Sequence, residues 1–213
     1  MLYVPMHYIY SENAERLRIA VQKSGRLHDA SIKYLAKRGL SFSPNGKSLI
    51  QSSESADVDV LYLRDDDIPA YVSRGVADFG IVGENVLAEG GIGLSVVQKL
   101  DFGRCSLVIA VPEGSRIEVP SDLQGKRIAT AYPRMLNEFL KKETVNAGIV
   151  PISGSAEITV ELDLADAICD IVQTGATLKA HDLVPIITIM ESQAVLVESP
   201  GKSMRKKDFL LRK

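Results

Sequence analysis

Residues 167–178 read AICDIVQTGATL, and how this stretch is read decides the fold. Residues 167–172 are mostly apolar and strand-like, with Asp170 inside the run. Thr174, Gly175, Ala176 and Thr177 then make a small turn, after which Leu178 and Lys179 look helical again. A buried strand passing through a short turn into a helix is the unit of layered α/β folds. Such a turn presents backbone N–H groups outward at a helix start, where the dipole favours an anion. Gly175 permits close backbone approach, and Thr174 and Thr177 add hydroxyl donors. No Gly-Lys-Ser/Thr follows and no GxGxxG spacing is present, so the turn is neither a Walker A loop nor a dinucleotide fingerprint. Asp170, just upstream, is placed to accept hydrogen bonds from sugar hydroxyls. A phosphate carrying a ribose satisfies both ends; an ordinary helix start with Thr caps is the competing reading.

Working outward, strand-like and helix-like segments alternate, the pattern of a parallel or mixed sheet covered by helices. Residues 17–21 read as a strand. After Lys23-Ser24-Gly25-Arg26, Leu27, Ala30, Tyr34 and Leu35 recur at helical spacing in a helix closing at Gly39. DVDVLYL (57–63) alternates and reads as a strand, and Asp66 or Asp67 is expected to cap a helix with Pro69 in its first turn. VADFGIVGENVLAEGG (76–91) reads as strand, Gly turn and helix, CSLVIAVPEGS (105–115) as strand and loop, and KRIATAYPRMLNEFLKKETVNAG (126–148) as strand, turn and helix. PIITIME (185–191) and SQAVLVES (192–199) are two further strand-like runs, which are expected to return the chain to the first domain. The expected organisation is α/β with two lobes and a cleft between them: residues 1–103 with 188–213, and residues 104–187 carrying the 170–178 turn. The tail KSMRKKDFLLRK (202–213) suggests a basic helix with one apolar side.

The bulk numbers are those of an ordinary globular chain of 213 residues, 46% hydrophobic and 24% charged. With 25 Lys plus Arg against 27 Asp plus Glu, the net charge of −2 leaves no general basic footprint for nucleic acid or a membrane surface. An anionic ligand must be met locally. Cys105 and Cys169 lack metal-type or redox-type spacing and are expected as buried thiols. The first residues carry no secretory pattern and no run of about 18 apolar residues occurs, so a cytoplasmic location is expected.

Local cations are available. Lys23 and Arg26 follow the first strand, and Lys47 and Arg64 lie near other element ends, where open α/β sheets bind ligands. Such groups can neutralise a pyrophosphate leaving group. His7, His28 and His181 are isolated, His181 reading as a dipole partner at a helix C-terminus. RDDDIP (64–69) reads as helix capping, and no metal site is expected.

At this point the words resemble a family. LRIAVQKSGRL (17–27), LRDDDIP (63–69), GVADFGIVGENVL (75–87), LDFGRC (100–105), KRIATAYP (126–133) and DLADAICDIVQTGATLKAHDL (163–183) occur in order and resemble the catalytic region of ATP phosphoribosyltransferase. The resemblance covers about residues 15–200. It implies two lobes like a type II periplasmic binding protein, and the first step of histidine biosynthesis: adenine N1 of ATP attacks C1 of phosphoribosyl pyrophosphate, with Mg²⁺ on the phosphates. Carried onto this chain, it places Asp170, Ile171, Val172, Gln173, Thr174, Gly175, Ala176 and Thr177 around the ribose and 5-phosphate. Glu157, in Gly154-Ser155-Ala156-Glu157, orients the sugar; Arg26 and Lys23 meet the pyrophosphate, with Lys47 at a leaving-group position. Arg64, Glu84 and Asn85 face ATP.

Departures from the family pattern are Thr159-Val160 after the sugar loop, Asp163-Leu164-Ala165-Asp166 before the strand, and His181-Asp182 where relatives often carry Asn-Gly. The resemblance also implies a homo-oligomer. It implies either a short form working with a histidyl-tRNA-synthetase-like regulatory subunit or a long-form core without its C-terminal sensing domain, the wording being closer to the long form. The alternative from another class is a two-lobed solute-binding protein without turnover.

Overall fold

The computed structural model describes residues 16–42, 48–200 and 210. In chain order the elements are β1 (Leu17–Gln22), α1 (His28–Ala36), β2 (Ile50–Ser52), β3 (Val58–Leu63), α2 (Ile68–Ser73), β4 (Phe79–Gly83), α3 (Glu84–Gly90), β5 (Ser95–Lys99) and β6 (Cys105–Pro112). They continue as β7 (Arg127–Thr130), α4 (Pro133–Lys142), β8 (Gly148–Pro151), α5 (Glu157–Glu161), β9 (Ala167–Val172), α6 (Ala176–Ala180), β10 (Leu183–Ser192) and β11 (Ala194–Glu198). The strands form two sheets, and the chain divides into two compact units. One holds the described residues up to Val82, Ile92–Lys99, and the described residues from Val195 on; the other holds Gly83–Gly91 and Leu100–Ala194. Most of the tail expected as a basic helix lies outside the described residues.

In the first unit the sheet order is β2-β3-β1-β4-β11-β5. β1 runs parallel to β3 and β4, while β2 and β5 close the edges antiparallel to β3 and β11. β3 does not show the half-exposed alternation expected from DVDVLYL, because its residues 58–62 are buried on both faces. Asp59 is tolerated there, 5% exposed, because its Oδ1 accepts from Arg16 Nε at 2.9 Å and from Ser52 Oγ at 2.8 Å. α2 lies directly on β4: a Cβ at Gly80 would stand 2.8 Å from both Ile68 Cγ2 and Val72 Cγ2, so only glycine allows that spacing. The parallel strands β1 and β3 send Lys23–Arg26 and Arg64 out of the same sheet edge.

In the second unit the order is β10-β6-β9-β7-β8, with β9 and β8 parallel to β7, and β6 antiparallel to β9 and β10. Both faces are covered, which is why the strands read as nearly unbroken apolar runs. With period two, Leu107, Ile109, Val111, Ala167 and Cys169 pack with Met135, Leu136 and Leu140 of α4. Val108, Ala110 and Ile168 pack with Ala156 and Leu178 on the other face. Each large side chain so buried contributes about 1.5–3 kcal/mol. Cys105 and Cys169 are buried free thiols, and burial pushes the Cys169 thiol up to about 12. Among the described residues no helix is long and apolar enough to cross a membrane.

Candidate functional site

Because β9, β7 and β8 are parallel, their carboxyl ends leave one edge of the second sheet together, followed by residues 173–175, 131–132 and 152–156. Asp170 belongs to the face of Ile168 and Val172, the side covered by α5 and α6. Its Oδ1 accepts the Ile171 N–H at 2.7 Å. Burial pushes its carboxyl above the usual carboxylate range; the Ile171 bond works against this, and the nearby negative Glu157 adds to it. Asp170 and Glu157 are therefore electrostatically coupled at this edge.

Beyond Val172 the chain turns through Gln173, Thr174 and Gly175, and Gly175 sits at φ 76°, ψ 0°, the left-handed region. Gln173, Thr174, Ala176 and Thr177 are exposed. Thr174 Oγ1 accepts the Ala176 N–H at 3.4 Å, and a Cβ at Gly175 would meet no atom within 4 Å. α6 spans just five residues, so the turn's own N–H groups count beside the helix dipole expected from sequence. Glu157 opens α5 after a loop in which Ser155 takes φ 49°. His181 has a different partner from the one expected: its Nδ1 lies 2.6 Å from Glu161 Oε1, and that bond raises the imidazole pKa. The pair ties the end of α5 to the end of α6 across 20 residues of sequence, and no local pattern announces it.

On the first unit, Lys23 is exposed and Arg26 partly buried. Their loop folds over Gln22, whose Oε1 accepts the Leu27 N–H at 2.8 Å and whose carbonyl lies 2.8 Å from His28 Nδ1. The Lys23 N–H donates to the Leu63 carbonyl at 2.7 Å, joining the ends of β1 and β3. Arg64 is 80% exposed in its side chain and contacts Asp66 Oδ1 through Nε at 3.3 Å. Asp67 is the residue before α2, yet no side chain caps that helix; the expected Asp66 or Asp67 cap gives way to Asp66 engaging Arg64. Lys47 lies outside the described residues.

β4 passes into α3 without the Gly turn expected, Gly83 holding extended geometry at φ −74°, ψ 143°. Glu84 Oε2 accepts the Gln193 N–H at 3.2 Å. Asn85 is 2% exposed. Its Oδ1 accepts from Ser192 Oγ at 2.9 Å, and its Nδ2 donates to Tyr132 Oη at 3.2 Å, so both ends of this amide are committed within the unit. Glu89 accepts the Arg134 and Met135 N–H groups at 2.9 and 3.0 Å, capping α4 from another element. Two residues at the edge were not singled out from sequence, Thr130 and Tyr132. The hydroxyl-bearing strand end Thr130-Ala131-Tyr132 ahead of Pro133 was the available signal. Among the described residues no group of three or more His, Cys, Asp or Glu is arranged to hold a metal ion.

This edge thus carries a strand-turn-helix with the Asp170 and Glu157 carboxyls, an αL glycine and exposed threonines. The family described as HisG: ATP phosphoribosyltransferase matches residues 64–212. An ATP phosphoribosyltransferase of Cytophaga hutchinsonii is 45% identical over 194 residues, 91% of this chain and 68% of the relative. One of Xylella fastidiosa strain 9a5c is 49% identical over 191 residues, 85% of this chain and 63% of the relative. The chain thus spans about two thirds of the length of these relatives. Among solved structures, a chain of the ATP phosphoribosyl transferase (HisG:HisZ) complex from Thermotoga maritima matches with a TM-score of 0.78 and 30% identity. That match covers 91% of this chain and 96% of that one. Two substrate-binding proteins of amino acid ABC transporters and a periplasmic aliphatic sulphonate binding protein match at 16–17% identity with TM-scores of 0.53–0.63, a likeness of fold alone. With a family model that matches residues 64–212 and relatives at 45–49% identity, the chain belongs to the ATP phosphoribosyltransferase family.

Proposed function

We propose that this chain transfers the phosphoribosyl group of phosphoribosyl pyrophosphate to N1 of ATP, releasing pyrophosphate. The observation that carries the reading is the Asp170–Thr177 turn at the carboxyl edge of β9, coupled to Glu157. The exposed turn residues 173, 174, 176 and 177 surround the 5-phosphate, and the αL Gly175 keeps a side chain out of its path. Ionised Asp170 accepts from the ribose hydroxyls while Glu157 orients the ring. Departure of pyrophosphate leaves positive charge on C1, and two carboxylates beside the sugar favour that state over the ground state. Adenine N1 already carries a lone pair, so positioning rather than a strong base lowers the barrier.

By family resemblance, Lys23, Arg26 and Lys47 are the proposed cations for the pyrophosphate. The same resemblance assigns Arg64, Glu84 and Asn85 to ATP, and the bonds of the Asn85 amide to Ser192 and Tyr132 anchor α3. Asp170 and Glu157 alone make no protein cage for a cation, so Mg²⁺ fits this chain as a partner of the substrate phosphates. Bound there, it would supply positive charge against the leaving pyrophosphate. A histidyl-tRNA-synthetase-like regulatory subunit and self-association are the proposed assembly, the first supported by the HisG:HisZ complex among the structural relatives. Cytoplasmic histidine biosynthesis is the proposed setting.

The test is to incubate the purified chain with ATP, phosphoribosyl pyrophosphate and Mg²⁺ in the presence of inorganic pyrophosphatase, and to follow phosphoribosyl-ATP by absorbance. Product is expected, with the chain alone or after adding a regulatory subunit. Tight binding of both substrates with no product in either mixture would return the chain to the solute-binding reading.

A further inference from the structure

We propose that Thr130 is a positioning residue that sets the orientation of Asp170; this deepens the proposed function and rests on it. Thr130 is the last residue of β7 and is 0% exposed. The parallel ladder between β7 and β9 ends at the pair Thr130–Cys169. There the side chain continues the tie: Thr130 Oγ1 donates to the Cys169 carbonyl at 2.7 Å and accepts the Tyr132 N–H at 2.8 Å. Its own carbonyl accepts the Ile152 N–H at 2.9 Å. One residue thus ties the exits of all three parallel strands, β9, β7 and β8.

The carbonyl it holds belongs to the peptide joining Cys169 to Asp170. Fixing that peptide plane fixes the direction from which the Asp170 side chain leaves the strand. On the other side, the Ile171 N–H holds Asp170 Oδ1 at 2.7 Å. The Thr130 hydroxyl gives its one proton to Cys169 and uses a lone pair for Tyr132, so both polar roles are filled by backbone and neither reaches a ligand. A valine of the same shape removes the side-chain bond to the Cys169 carbonyl and the acceptor of the Tyr132 N–H, loosening the Cys169–Asp170 peptide where the β7–β9 ladder ends. In transfer chemistry that depends on alignment, a shift of about 1 Å costs about 10²-fold in rate.

The experiment compares Thr130→Val, Thr130→Ser, Asp170→Asn and the double variant Thr130→Val/Asp170→Asn by steady-state kinetics, with thermal unfolding as the control for folding. Expected is a folded T130V with kcat reduced about tenfold to a hundredfold at nearly unchanged KM for ATP, and T130S within about threefold of wild type. Because Thr130 acts through Asp170, T130V is expected to cost almost nothing further in the D170N background. Wild-type kcat in a folded T130V, or the same fold-loss with and without Asp170, overturns the proposal while leaving the site reading standing. If T130V does not fold, T130S decides: a folded serine variant with turnover more than tenfold down overturns it. Wild-type turnover in D170N removes the site reading itself.

Discussion

Gly175→Ala separates backbone conformation from packing at the proposed phosphate turn. Gly175 lies at φ 76°, ψ 0°, and a methyl group there would meet no atom within 4 Å. Sterics with the rest of the fold therefore contribute nothing, and the cost is that of holding an L-residue in the left-handed region, about 1–2 kcal/mol. For a chain of 213 residues unfolding in one transition this corresponds to a fall of about 2–8 °C in Tm. Asparagine, which tolerates this region, should lose less, and valine more. In the proposed site the added methyl would also stand where the 5-phosphate meets the turn N–H groups, so phosphoribosyl pyrophosphate should bind at least tenfold more weakly, a loss of about 1.4 kcal/mol. ATP affinity should hold. Calorimetry gives the first quantity and isothermal titration of each substrate the second. Unchanged Tm with unchanged phosphoribosyl pyrophosphate affinity in the alanine variant would refute the reasoning on both counts.

If Asp170 holds the sugar hydroxyls in its ionised form as proposed, its raised pKa should place the acidic fall of kcat/KM above the ordinary carboxylate range. Glu157→Gln removes a charge that raises it, so the limb in that variant's residual activity should move to lower pH; a limb that stays put removes the coupling. His181 has its pKa raised chiefly by Glu161, so its contribution to stability is full below the unfolded value of 6.5 and is lost as pH rises through the folded value. An NMR titration should show that pKa falling in Glu161→Gln. Arg16→Met leaves buried Asp59 with Ser52 alone and should destabilise the first unit by about 2 kcal/mol in urea unfolding. Cys169, fully buried with its thiol pushed up to about 12, should resist alkylation at pH 8 until the chain unfolds, as mass spectrometry can check.

The strands with a dense hydrophobic signal were legible in the sequence. β9 spans residues 167–172 as expected, and β1, β6, β7 and β11 follow the apolar runs. What escaped notice was short or polar. β2 and β5 are edge strands of three and five residues, with Ile50 60% and Val96 46% exposed, so neither shows the pattern of a buried strand. The Asp170–Thr177 turn could be read because strand, acid, glycine and threonines are contiguous. Nothing local in the sequence reveals the burial of Asn85 against Ser192 and Tyr132, residues 107 and 47 positions away. Thr130 and the Glu161–His181 pair were missed for the same reason: their meaning arises only when parallel strand ends and short helices are brought side by side.

The most direct measurement is of the backbone amides of residues 173–177 by ¹⁵N-resolved NMR as phosphoribosyl pyrophosphate and Mg²⁺ are added to the chain. The account predicts that the largest shifts fall on these amides and on Asp170 and Ile171, and that they saturate together at one affinity. Saturable binding that leaves 170–177 unmoved and shifts another surface would contradict it.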